Sequence, residues 1–334
     1  MMWDKFSTWG RVRCGKSLRA VAHLIVLSQF VTSCYGGDYP YKSLRWIIGY
    51  PPAGTSDLLV RVIAQELTAR LGHQVVVDNR PGATGILAAE LAAKASPDGY
   101  TLFLGDISTH AINEALYRRL PYRPADFWPV TATGAVPNAV VVAPAVRVKT
   151  IAELIALAKA NPKRFNYASG GSGTGTHLIT ELFDEIAHVE LTHIPYKGTP
   201  PALLDLVANR VGVMFAGLPP ALPFIRSGKL RAIAVTSAKR ISLFPELPTV
   251  AETLPGYEVT TWYGVFVPRG TPQQTVAVLN KEIRAAMAVP AVQVRLQGLG
   301  FEVFGSTPAD FARFIKGEAE KYAKLVKRMG LKVD

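Results

Sequence analysis

Three short segments gather glycines and hydroxyl residues directly ahead of helical patterns. They are Pro51-Pro52-Ala53-Gly54-Thr55-Ser56-Asp57, Asn79-Arg80-Pro81-Gly82-Ala83-Thr84-Gly85, and Ser169-Gly170-Gly171-Ser172-Gly173-Thr174-Gly175-Thr176-His177. At the start of a helix the first backbone N–H groups have no partner, and the helix end carries about half a positive charge. Such a junction accepts an anion: glycine lets it approach, and Ser or Thr adds donors. A single loop of this kind reads equally well as an ordinary helix cap. Three of them, each with Gly beside Ser or Thr, favour a shared anion site at the carboxyl ends of strands. The candidate contacts are Ala53, Gly54, Thr55 and Ser56 from the first loop, Ala83 and Thr84 from the second, and Ser169, Gly173 and Thr174 from the third. Asp57 is expected to cap its own helix and His177 to be structural, while Tyr196 and Lys197 are further candidates to line a cleft.

Other chemistry finds less support. Gly10-Arg11-Val12-Arg13-Cys14-Gly15-Lys16-Ser17 matches GxxxxGK[ST], but no apolar strand precedes it, so the phosphate cradle of that motif is not expected. The third loop departs from GxGxxG with Thr176 at its last position, and it is not a GxSxG elbow. The six histidines have no HExxH or other close metal spacing. The expectation is therefore no enzyme, no cofactor and no metal. The densest basic run, Lys316–Lys332, is broken by Glu318 and Glu320 and reads as a solvated amphipathic helix, which argues against nucleic acid.

The elements that must position these loops are short. Apolar runs at 44–48, 75–77, 101–104, 139–142, 232–235 and 264–267 read as strands buried on both faces. Leu59, Ile63, Leu67 and Leu71 repeat at helical spacing, with Gly72 as a stop. Thr150 with Glu153 is a capping-box pattern, and Thr199-Pro200, Thr271-Pro272 and Thr307-Pro308 suggest an N-cap followed by Pro. Alternating strands and helices predict an α/β protein with mixed, mostly parallel sheets flanked by helices. Charged residues are 19% of the 334, apolar residues 49%, and there are two cysteines, so neither disorder nor a disulfide scaffold is expected. Glycine (28) and proline (24) are in excess, consistent with many tight turns.

Residues 1–33 read as a signal peptide. Lys5, Arg11, Arg13, Lys16 and Arg19 precede an apolar stretch that is too short for the ~20 residues a membrane span needs. The basic leader accounts for a third of the net charge of +12. Val31-Thr32-Ser33-Cys34 resembles a lipobox, with Val where Leu is usual. Two outcomes fit: lipidation of Cys34 and a lipid anchor, or ordinary signal cleavage.

The ordered motifs PPAGTSD, NRPGATG, SPDGYTL, FNYASGGSGTGTHL, HIPYKGTPPALLDL, SGKLRAIAVTS, PELPTVAE and PGYEVTTWYGVFVPRGTP carry a resemblance across residues 39–334. The chain resembles the solute-binding proteins of tripartite tricarboxylate transporters, the Bug (TctC-like) family. The resemblance implies a two-domain Venus-flytrap fold of the type II periplasmic-binding-protein kind, with two crossover hinge strands. It implies a discontinuous first domain, residues 38–139 plus 262–334, and a second domain over 140–261. A periplasmic monomer is expected, binding a small organic acid or amino acid and handing it to membrane transporter subunits of the same system. Sensing without a dedicated transporter and, further off, an enzyme acting on small organic acids are the alternatives. Where the family often has a glycine pair, Ala53-Gly54 stands here.

Overall fold

The computed structural model describes residues 39–332. The leader, Cys34 and the phosphate-loop look-alike lie outside the described residues. The strands are β1 (Leu44–Ile48), β2 (Val75–Asn79), β3 (Thr101–Asp106), β4 (Phe127–Val142), β5 (Asn166–Ser169), β6 (Thr192–Pro195), β7 (Val213–Gly217), β8 (Arg231–Val235) and β9 (Thr260–Pro268). The α-helices are α1 (Thr55–Leu71), α2 (Ile86–Ala93), α3 (Asn113–Leu116), α4 (Ile151–Ala160), α5 (Gly175–Ala187), α6 (Thr199–Val207), α7 (Leu218–Arg226), α8 (Gln273–Ala288), α9 (Pro290–Gly298) and α10 (Pro308–Met329).

The strands form one curled mixed sheet in the order β2-β1-β3-β9-β4-β7-β5-β6, with β8 also on β4. Pairing is parallel at both ends, where strand–helix–strand units alternate, and antiparallel wherever β4 or β9 takes part. Strand β4 joins the two parts. Its first stretch, Phe127–Pro137, pairs with β9, and its second, Asn138–Val142, pairs with β7 and β8. The chain crosses back beside Asn138, where Thr236 N–H donates to the Asn138 carbonyl and Val259 N–H to that of Thr236.

Sequence reading finds only the last residues of β4, and the reason is physical. Pro129, Gly134 and Pro137 interrupt the strand pattern, and proline cannot donate to a ladder. The strand tolerates two of these positions through bulges: its register against β9 shifts between Pro129 and Thr131 and again between Ala132 and Gly134.

Each part of the sheet covers its own core. Ile47, Phe103, Phe127, Phe266, Phe311 and Tyr322 belong to one, and the C-terminal helix α10 supplies the last two. Val140, Tyr167, Phe183, Val213, Phe215 and Tyr257 belong to the other. Each fully buried large side chain contributes about 1.5–3 kcal/mol of transfer free energy.

The helix starts correct two readings. Thr150 and Thr307 do cap, accepting the N–H of Glu153 and Asp310 at 3.1 Å each. Thr199 does not: its helix begins one residue earlier than expected, so Gly198 is the cap and the Thr199 hydroxyl is left for other work. Thr271 is also no cap; Pro272 takes that place while Thr271 Oγ1 donates to the Pro268 carbonyl at 2.8 Å.

Candidate ligand-binding chamber

The loops after β1, β3, β5, β6 and β7 meet above the β4–β9 crossing and border a chamber of about 60 Å³. Its walls include Tyr50 beside the first loop and Gly54, Thr55 and Ser56 from it, Asp106 at the end of β3 and Ser108 after it, and Thr174 and Thr176 from the third loop. Gly198 and Thr199 precede and open α6, Gly217 precedes α7, and Asn138, Thr261 and Tyr263 form the floor on the crossing strands. A wider outer chamber of about 530 Å³ shares Tyr50, Pro51, Gly170, Thr174 and Gly198 with it. The outer walls add Ala83, Thr84, Tyr117, Tyr196 and Lys197.

Four helices start on the inner chamber: α1, α5, α6 and α7. Away from it, α4 and α10 close their own first turns with a threonine hydroxyl. By contrast α1, α6 and α7 begin after Gly54, Gly198 and Gly217, with no side-chain cap. Among the described residues, the N–H groups of Thr55, Ser56, Thr176 and Thr199 find no acceptor in the protein. All four residues line the inner chamber, at the positive ends of their helices. An anion there gains several N–H bonds and needs no arginine. None of the residues lining the inner chamber is Lys, Arg or His.

Glycine is required sterically at Gly217, because a Cβ there would collide with Thr55 Oγ1. The walls are also tied across the gap. The Gly175 N–H donates to Ser108 Oγ at 3.2 Å. Thr84 Oγ1 donates to the Ser172 carbonyl at 3.2 Å and lies 2.7 Å from the Tyr117 hydroxyl.

One carboxylate does face the inner chamber. Asp106 is buried, which pushes its carboxyl up, while hydrogen bonds from Tyr50, Thr109 and the Ser108 backbone pull it part of the way back. Thr109 donates to it through both its N–H, at 3.0 Å, and its hydroxyl, at 3.1 Å. Burial and the neighbouring Asp106 charge also hold Tyr50 in its phenol form. The Tyr50 proton is thus committed to Asp106.

The expected site residues divide into two groups. Gly54, Thr55, Ser56 and Thr174 line the inner chamber, and Ala83 and Thr84 the outer one, with Thr174 common to both. Ala53, Ser169 and Gly173 stand behind the walls. The Ala53 N–H donates to Asp57 Oδ2 at 2.9 Å, Ser169 is fully buried against His193, and the Gly173 N–H donates to His177 Nδ1 at 3.0 Å. Asp57 holds the first loop closed. Burial pushes its carboxyl up, but hydrogen bonds from Arg61, Ala53 and Asn79 outweigh this and keep it below the usual range. Sequence reasoning passed over Tyr50, Ser108, Asn138, Thr199, Thr261 and Tyr263. Asn138 did carry a signal, as a lone amide beside the apolar run 139–142. Gly198 and Gly217 carried another, each ahead of a helix opening X-Pro-Pro.

This arrangement has counterparts. Residues 59–331 match the model of the tripartite tricarboxylate transporter family receptor. The chain belongs to that family. The Bordetella pertussis protein BugT is 34% identical over 95% of this chain and 98% of its own length. Rpa4515 of R. palustris, solved with adipate, superposes with a TM-score of 0.86 at 38% identity, covering 88% of this chain and 99% of its own. MatC of Rhodopseudomonas palustris, solved with bound malate, gives 0.82 at 31% identity, covering 86% and 100%. The curled sheet and flanking helices are thus the periplasmic-binding-protein fold of this receptor family, whose members are solute-binding receptors.

Proposed function

We propose that the protein is a periplasmic receptor that captures a small organic carboxylate, or an amino acid through its carboxylate, in the inner chamber. The convergence of uncapped helix starts on a chamber without a cationic side chain carries this reading. The adipate and malate bound to its solved relatives support it. Residues 38–139 with 262–334 form one lobe of this reading and 140–261 the other. Closure of the two around the ligand is the signal read by transporter subunits in the membrane. The leader directs export, and Cys34 is the point of lipid attachment if the lipobox is used; substitution by Ser with palmitate labelling decides that. The protein acts as a monomer and does not transform its ligand.

Native mass spectrometry of the purified protein, followed by calorimetry with adipate and malate at pH 7, tests the proposal. A single bound acid, retained at 1:1 and recovered unchanged, is expected. A folded protein that binds no carboxylate, or one that converts it, contradicts it.

A further inference from the structure

The third loop rests on two histidines that the chamber does not use. His177 and His193 stack with ring centroids 4.2 Å apart, and Tyr167 stacks on His193 at 4.8 Å. His177 Nδ1 accepts the Gly173 N–H at 3.0 Å. His193 Nε2 lies 2.6 Å from Ser169 Oγ, which accepts the Gly171 N–H at 3.1 Å. Gly170, Gly171, Ser172 and Thr174, the segment held by these bonds, face the chambers.

We propose that His177 and His193 are positioning residues that hold the third loop in its ligand-facing shape only while both are neutral, so that acid releases the loop. The bond at His177 sets the direction. A nitrogen accepting the Gly173 N–H carries no proton, which places the ring proton on Nε2. Adding a second proton turns two donors toward each other. Gly173 cannot readily adapt, because it sits at φ +81 with Leu116 and Tyr117 packed against it. The Nε2 edge faces Glu181, whose Oε1 is 3.6 Å away, so a ring charged at both nitrogens is drawn toward that carboxylate and away from Gly173.

Stacking makes the two rings one titrating unit, since a charge on either opposes a charge on the other. The other groups facing the pair are Glu181, on the same helix as His177; Tyr167, which donates to Glu181; and Asp184, which acts on Tyr167. Burial is the chief cause holding both histidines down, at about 4 each. Glu181 pulls His193 the other way. A group whose pKa is depressed in the ordered state is neutral and harmless at pH 7. Its contribution is lost as the pH falls from the ordinary histidine range toward 4.

Two measurements test this, the first without any ligand. In protein labelled with ¹⁵N-glycine, the Gly173 amide, assigned through its loss in Gly173→Ala, should be protected from exchange at pH 7 and lose that protection between pH 6 and 4. In His177→Asn, whose side-chain oxygen accepts in place of Nδ1 and does not titrate there, protection should persist. Persistence to pH 4 in the native chain, or equal loss in both proteins with global unfolding, overturns the proposal. The second measurement rests on the carboxylate reading: the ratio of adipate dissociation constants, native over His177→Asn, at pH 7 and pH 4.5. Titration of the probe is common to both and cancels. The ratio should rise on acidification, in step with protonation of the pair; a flat ratio overturns the proposal. If neither protein binds adipate at pH 7, the carboxylate reading for adipate fails, and the amide experiment still decides the role of the histidines.

Discussion

A hydroxyl at a helix start can serve the helix or the ligand, and the geometry separates the two cases. Thr150, Thr174 and Thr307 each accept an N–H from their own first turn. Thr55 follows the cap position and faces the chamber. Thr55→Val keeps the shape and removes the donor, so carboxylate affinity should fall about tenfold, near 1.4 kcal/mol, with the unfolding midpoint nearly unchanged. Calorimetry and urea titration of the same variant check both halves. Gly173 is the instructive case. Its place in a glycine-rich loop suggests ligand contact, yet its N–H is spent on His177. Gly173→Ala should still weaken binding, by straining a positive φ and meeting Leu116 Cδ2 and Tyr117 Oη at 2.9 Å, and not through any lost ligand bond. The sequence could show that these loops are helix starts. It could not show which N–H groups the protein itself consumes: Asp57 and His177 each take one from four residues back within their own segment, and Ser108 reaches Gly175 from beyond β3.

Among the elements, helices with regular periodicity were readable from the chain alone, and α4 falls on the expected residues 151–160. The crossing strand β4 was not, because bulges at its proline and glycine positions trade the alternation of a strand for a bend. That bend places Asn138 under the chamber, where its amide donates to Thr261 Oγ1 on the neighbouring crossing strand at 3.2 Å. A second feature of the crossing is steric. Gly264 on β9 lies against the Phe311 ring of α10, with no room for a Cβ. Gly264→Ala should therefore destabilise the fold by about 1–3 kcal/mol through overpacking, seen as a lower urea midpoint. A variant as stable as the native chain would mean that α10 is free to shift.

For the whole molecule, acid should be the damaging condition. His110, His177 and His193 are held by burial at about 3, 4 and 4, below the ordinary 6.5. The unfolded chain therefore binds protons first, and their contribution is intact above about pH 6.5 and lost as the pH falls toward 4. Each group shifted to about 4 accounts for roughly 3 kcal/mol. Asp184 works in the opposite sense: burial raises it to about 7, so it favours the folded state at lower pH. The three histidines make acid the destabilising direction, and the urea midpoint should drop between pH 6.5 and 4. The family and its α/β fold were legible from ordered motifs spread along the chain. The chamber was legible only in its loops, since its floor comes from strands whose polar residues look incidental in sequence. The central claim is that a carboxylate is held by helix starts and hydroxyls with no cationic side chain. A crystal structure with adipate or the co-purified acid tests it most directly. Carboxylate oxygens within about 3 Å of the backbone nitrogens of Thr55, Ser56, Thr176 or Thr199 are expected; a carboxylate paired instead with Lys197 or another surface cation, with the inner chamber holding only water, would contradict it.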